Sequence, residues 1–245
     1  MTIESLDRSR GDRPCLAVPQ PVVFTRAGLA GELAMVEGAS TLAVFAHATA
    51  AGRDHPGHRF MGDVLRANGV ATLSIGLRTA EEEACGAPLA GVLELTLRTK
   101  AVLDSLAATA ATAATRQMNV ALIGIGLAAA PCAIVARQPG LEAIRSVVLL
   151  DGHVDLRDEE VASWRQPTLC IAGRHGIALS GQPLAGARSL PPPHRLVKLR
   201  MQTQPLASAG AFQTMACEIA NWLRHRDALC SAPMPADATE LASAQ

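Results

Sequence analysis

Short apolar runs that alternate with helical segments are the feature that most limits the fold of this chain. Four of these runs are TLAVFAHA, VATLSIGL, NVALIGI and RSVVLLDG. A continuous apolar run is typical of a strand that is buried on both faces of a sheet. Strands of this kind, connected by helices, form a parallel sheet that is covered by helices on both sides. The pattern therefore predicts an α/β fold.

Further strands extend this pattern at both ends. Two come first, PVVFTRAG and GELAMVEG, and two come late, PTLCIAG and HRLVKLRM, before a closing amphipathic helix, AGAFQTMACEIANWLRHR. Because the opening pair is joined by a turn, we expect a mostly parallel sheet of about eight strands with an antiparallel start. We predict a disordered arm over residues 1–18, one domain over 19–227, and a flexible tail rich in Ala, Pro and Ser over 228–245.

Charge and composition limit the classes of function. The chain carries 22 basic and 22 acidic side chains, whereas nucleic acids and anionic membranes select for a basic surface. No apolar run reaches the roughly 18 residues of a membrane span, and the first residues lack the apolar core of a secretion signal. We expect a cytoplasmic protein without nucleic-acid or membrane partners. Aromatic residues make up only 2% of the chain, which argues against stacking platforms for bases or sugars.

The stretch NVALIGIGLAAAPCAIVA, residues 119–136, places a glycine turn between a buried strand and a helix of small residues. Many enzymes carry a nucleophile on such a turn in the pattern G-x-S-x-G, because only small neighbours permit its strained backbone. The five corresponding residues here are Gly124, Ile125, Gly126, Leu127 and Ala128. The position of the nucleophile therefore carries no side chain.

A resemblance to a known family is carried by LAVFAHATAAGRDHPGHRFMGDVLRANGVATLSIGL, followed by TAEEEA. These segments resemble the dienelactone-hydrolase-like branch of the α/β-hydrolase superfamily, including its phosphoribosyltransferase-associated members. That branch shows a strand ending in His-Gly, an arginine-rich loop, a helix opening with Arg-Phe and a Thr-Pro-Glu-Glu-Glu stretch. The similarity extends from about residue 20 to residue 226. It implies an α/β-hydrolase fold and a triad of Ser or Cys, His and an acid.

The three triad positions that the resemblance implies hold other residue types. Gly126 stands at the nucleophile position, and His175 follows Arg174 where the acid is expected, after PTLCIAG. Gln204 stands where the base is expected, after the last strand. We therefore assign no catalytic residue and interpret the chain as a degenerate hydrolase, or pseudoenzyme, with a binding, regulatory or scaffold role.

The crevice at this turn is the expected binding site for a small molecule. We expect a protein partner or a second copy as the other class of ligand, with a homodimer formed by the edge strand or the last helices. The predicted pocket residues are His47, Ala48, Ile125, Gly126, Leu127 and His175.

An alternative hypothesis is a carboxylic-ester or lactone hydrolase that uses a relocated site. Asp151 and His153, in LLDGHVD, follow a strand and form a pair that can act as a general base on water. His47 and His175 complete this relocated-site hypothesis. A solvated loop at a strand end is the simpler interpretation of the Asp–His pair.

Other candidate groups have simpler interpretations as well. Ser74 and Thr49 lie near strand ends, and we interpret them as hydrogen-bonded loop residues. We interpret Cys132 as an inert core thiol. His55 and His58 have the spacing of metal ligands, but the Pro-Gly pair between them indicates a loop. A zinc site needs three or four ligands, and no further Cys or His has a clear claim to join this pair. We expect neither a metal nor a cofactor.

Overall fold

The sheet of the computed structural model contains eight strands in the described part of the chain. Residues 18–24, 28–108, 114–152, 164, 166–172, 194–198 and 209–231 are described. The strands are β1 (Gln20–Phe24), β2 (Leu29–Ala34), β3 (Thr41–His47), β4 (Ala71–Gly76), β5 (Asn119–Ile125), β6 (Ile144–Leu150), β7 (Thr168–Ala172) and β8 (His194–Lys198).

Their spatial order is β1-β2-β4-β3-β5-β6-β7-β8. β2 pairs antiparallel with both β1 and β4, and all other neighbours are parallel. The predicted eight-stranded, mostly parallel sheet with an antiparallel start is confirmed.

Helices cover both faces of the sheet. They are α1 (Ala50–Arg53), α2 (Pro56–Ala67), α3 (Ala80–Ala84), α4 (Val92–Ala108), α5 (Ala129–Val135) and α6 (Ala209–Ser231). α4 and α5 pack in one core cluster with Val44 and Leu122, while α2 and α6 pack in a second with Phe45 and Ile123. Successive strand residues thus enter opposite cores, which explains why the strands are apolar throughout. None of the helices described here is long and apolar enough to cross a membrane.

The start of α2 corrects one prediction from the sequence. The segment around Pro56 and Gly57 was expected to be a loop, but it forms the first turn of α2. Proline is tolerated at the first helical position because its missing N–H would have no partner within the helix. His55 caps this turn, since its Nδ1 accepts a hydrogen bond from the Gly57 N–H at 3.1 Å.

A reciprocal cap begins α3 at Thr79. The Thr79 hydroxyl accepts from the Glu82 N–H at 3.2 Å, and the Glu82 carboxylate accepts from the Thr79 N–H at 2.7 Å. Hydrogen bonding to Arg98 on α4 lowers the pKa of Glu82 to about 2. This cap therefore also connects α3 to α4.

We expect Thr79→Ala to lower the free energy of unfolding by about 1 kcal/mol, because the Glu82 N–H loses its acceptor. Thr79→Ser keeps the hydroxyl and should retain most of the stability. Urea denaturation of both variants measures the difference. Equal stability of the two variants would contradict a capping role for this side chain.

Candidate functional site

The predicted site residues that the structure describes lie where β3, β5 and β6 end. His47, Ile125 and Leu150 are partners in register across these three parallel strands. Ala48, Gly126 and Asp151 directly follow them in the chain. Ligands of open α/β sheets bind beyond the carboxyl ends of the strands, and this edge is therefore the candidate functional site.

The end of β5 and the turn that follows it, residues 124–128, form the elbow. Gly126 has a φ of +58°, which lies in the left-handed region that favours glycine. A Cβ built on Gly126 would meet no atom within 4 Å. Leu127, the next residue, is 61% exposed. The elbow thus presents its tip to open space, and that tip carries no side chain.

Close contact between β5 and α5 fixes the shape of the elbow. A Cβ built on Gly124 would lie 2.7 Å from the Ala129 Cα and 2.9 Å from the Cys132 Cβ. Such distances are shorter than real Cβ contacts, so the strand and the helix can meet this closely only at a glycine. The first glycine of the G-x-S-x-G-like pattern is therefore required by packing.

The strand end after β6 packs against the elbow. A Cβ built on Gly152 would lie 2.7 Å from the Gly126 carbonyl oxygen. Asp151, the preceding residue, has a φ of 48°, and its N–H donates to the Ile171 carbonyl at 2.9 Å. His153, His175 and Gln204 all lie outside the described residues. The pairing of Asp151 with His153 and the assignments of His175 and Gln204 therefore stay predictions.

His47 is deeply buried at this edge, with 2% of its surface exposed. Its Nε2 lies 3.2 Å from the Ser74 Oγ on β4, whereas its Nδ1 has no partner in the part of the chain that is described. Burial is the main cause that lowers the pKa of His47 to about 3, and the neighbouring His58 and Arg53 lower it further. The imidazole is therefore neutral near pH 7 and a poor acceptor of a proton.

Two further imidazoles lie close to one another beside His47, with their rings tilted. The ring centroids of His47 and His58 are 5.0 Å apart, those of His55 and His58 are 4.9 Å apart, and His55 lies 5.3 Å from the Phe212 ring on α6. Burial also lowers the pKa of His58. Within the described residues, no group of three or more His, Cys, Asp or Glu side chains could hold a metal ion.

The buried cysteines do not supply a nucleophile. Burial raises the pKa of Cys132 well above its ordinary value, and it raises the pKa of Cys170 to about 12. Because the thiolate is the reactive form of cysteine, both thiols are unreactive at neutral pH. The structure places Cys132 in the core, fully buried.

No family model matches the chain. Two Mycobacterium tuberculosis proteins, whose names assign them provisionally to the phosphoribosyl transferases, are each 30% identical to it over 145 residues. The alignment covers 59% of this chain and 32% of each relative. The chain thus spans about a third of the length of the curated relatives that it matches.

Solved structures match most of the length of the chain. A dienelactone hydrolase from Anabaena variabilis superposes with a TM-score of 0.70 at 25% identity, covering 86% of this chain and 98% of the hydrolase. Est1E from Butyrivibrio proteoclasticus gives a TM-score of 0.67 at 11% identity, covering 86% and 99%. An α/β serine hydrolase homologue from Coxiella burnetii gives 0.60 at 15% identity, covering 84% and 97%. The chain has the α/β-hydrolase fold.

Proposed function

We propose that this chain is a dienelactone-hydrolase-like protein without hydrolytic activity, which uses the crevice at its elbow to bind a small molecule. The observation that carries the proposal is the glycine at the elbow tip. Gly126 keeps the positive φ and the open surroundings of a nucleophile position. A glycine has no atom with which to attack a carbonyl carbon, so no acyl-enzyme can form there.

The missing nucleophile is poorly replaced by the two buried thiols or by Ser74. The Cys132 and Cys170 thiols are held protonated by burial. Ser74 is hydrogen-bonded to His47, but the low pKa of that histidine makes it a weak base toward a hydroxyl. These properties support binding rather than hydrolysis.

The crevice chemistry favours an uncharged, partly apolar ligand. The ends of β3 and β5 carry the apolar residues Ala48, Ile125 and Leu127. His47, which is in register with Ile125, is neutral. The likeness to a dienelactone hydrolase supports a lactone or an ester as the class of molecule that is bound. Without a nucleophile, such a molecule would be held and released unchanged.

The test is hydrolysis of short aryl esters and a lactone by the purified chain, together with labelling by a serine-reactive fluorophosphonate. We expect neither turnover nor labelling of the native protein. The variant that combines Gly126→Ser, His175→Asp and Gln204→His should gain labelling, because it restores a nucleophile, an acid and a base.

Gly126→Ala is the matched control for this variant, since it adds a Cβ without a hydroxyl. It should stay unlabelled. Turnover by the native chain that persists through repeated purification would overturn the proposal of a non-hydrolytic protein.

A second candidate function is hydrolysis at a relocated site, and one contact favours it. The hydrogen bond between Ser74 and His47 has the atom types of a serine–histidine pair. If native turnover appeared, Ser74→Ala should abolish it, whereas changing His153 and His175 together would test the Asp–His hypothesis. The low pKa of His47 places this candidate second.

A further inference from the structure

A second cavity lies between α2 and the part of the sheet that β2 and β4 form. Its volume is about 240 Å³, and no elbow residue lines it. We call it the side cavity. Its lining includes Glu32, Phe45, His58, Arg59, Arg66 and Ser74.

The hydrogen-bond partners of His47 determine its tautomer, and the tautomer determines whether the Ser74 hydroxyl donates to His47 or accepts from it. A buried N–H without an acceptor is rarer and less favourable than a buried lone pair without a donor. Since the Nδ1 of His47 has no partner among the described residues, the ring proton belongs on Nε2, which then donates to the Ser74 Oγ. The hydroxyl hydrogen of Ser74, which lines the side cavity, is thereby not used in the contact with His47.

The backbone fixes the tautomer of His58 in the same way. Its Nδ1 lies 2.7 Å from the Gly52 carbonyl oxygen. A carbonyl oxygen can only accept, so the proton of the neutral ring is on Nδ1. Nε2 of His58 is therefore a lone-pair acceptor. The cavity wall thus carries a neutral donor at Ser74 and a neutral acceptor at His58.

The charged residues of the wall neutralise one another. Arg59 Nη2 lies 3.0 Å from Glu32 and 3.1 Å from Asp54. Arg66 donates to Asp63 and, at 2.7 Å, to the Thr72 hydroxyl. The cavity therefore presents hydrogen-bonding groups of both kinds without an excess charge of either sign, so the net charge of its wall does not select for an ionic ligand.

We propose that the side cavity binds a small, neutral, polyhydroxylated molecule, of the size of a three- to five-carbon polyol. Each hydroxyl of such a ligand both donates and accepts, which matches the Ser74 donor and the His58 acceptor. The Arg59–Glu32 pair adds further polar atoms to the wall. Phe45 supplies an apolar floor for the carbon skeleton. The ligand is held by hydrogen bonds, which suits a chain with few aromatic side chains. This site goes beyond the proposed elbow function, because the two share no lining residue among those named.

The test is saturation-transfer difference NMR on the full chain with glycerol, erythritol and ribose as probes. L-Lactate and glycine serve as the anionic and zwitterionic comparisons. We expect the neutral polyols to bind and the two charged probes to give no effect. Ser74→Ala should weaken polyol binding about five-fold, which is the loss of one hydrogen bond. Leu127→Ala at the elbow should leave it unchanged.

Several outcomes would overturn the proposal: no transfer to any polyol, equal binding by the Ser74→Ala variant, or binding by the charged probes alone. The ester assay tests the elbow, and polyol binding tests the side cavity. The proposed function and the polyol site can therefore fail independently. ¹⁵N spectra of the histidine rings provide a second measurement. A proton found on Nδ1 of His47 would remove the free Ser74 donor and contradict the site.

Discussion

Replacing Gly124 with alanine should destabilise the fold by about 3 kcal/mol, because the added methyl group overlaps atoms that cannot move aside. The Cβ would lie 2.7 Å from the Ala129 Cα, 2.8 Å from the Ala128 carbonyl oxygen and 2.9 Å from the Cys132 Cβ. Two of these atoms are backbone. Relief of the overlap therefore requires α5 to move away from β5, which would loosen the core beneath the elbow.

Gly126→Ala is the matched control, since it makes the same chemical change two residues further along. Its Cβ would meet nothing within 4 Å, and the only penalty is the positive φ of 58°, which is worth about 1 kcal/mol for a residue with a side chain. Urea denaturation of the two variants measures the difference. Equal losses would mean that β5 and α5 do not meet as closely as these distances indicate, and that backbone conformation alone determines the loss of stability.

Acid should destabilise this protein well before its carboxylates are protonated. Burial holds the folded-state pKa of His47 at about 3, below the ordinary value of 6.5. Between these two pH values the unfolded chain binds a proton that the folded chain excludes, so stability is full above pH 6.5 and falls as the pH drops toward 3. Each unit in this interval corresponds to about 1.4 kcal/mol, which gives a loss of about 2 kcal/mol at pH 5.

The measurement is urea denaturation at pH 7.5 and pH 5.0, for the native chain and for His47→Asn. The asparagine keeps an amide donor near Ser74 but does not titrate, so the variant should lose less stability on acidification than the native chain. His58 adds to the remaining slope, since burial lowers its pKa as well. Identical losses in the two proteins would show that His47 is not the group that resists protonation.

The sheet was predictable because burial on both faces leaves a local signature. Strands such as β3 and β5 send successive residues into two different cores, and each must therefore be apolar along its whole length. The glycine turn at Gly126 was also predictable from the sequence, since glycine is the residue that adopts a positive φ without strain. The start of α2 was missed because Pro56 and Gly57 suggested a break, whereas a proline at the first helical position removes no helical hydrogen bond.

The side cavity and the proton positions around it could not be predicted. Ser74 is not part of a recognisable sequence motif. Its contact with His47 exists because β4 lies next to β3 in the sheet. That order follows from packing among strands distant in sequence. The sequence by itself determined the sheet and the side chain missing from the elbow tip, because apolar patterning and glycine conformation are local properties. Only the tertiary structure decided which polar groups meet, since a hydrogen bond between strands requires the register that the whole core imposes.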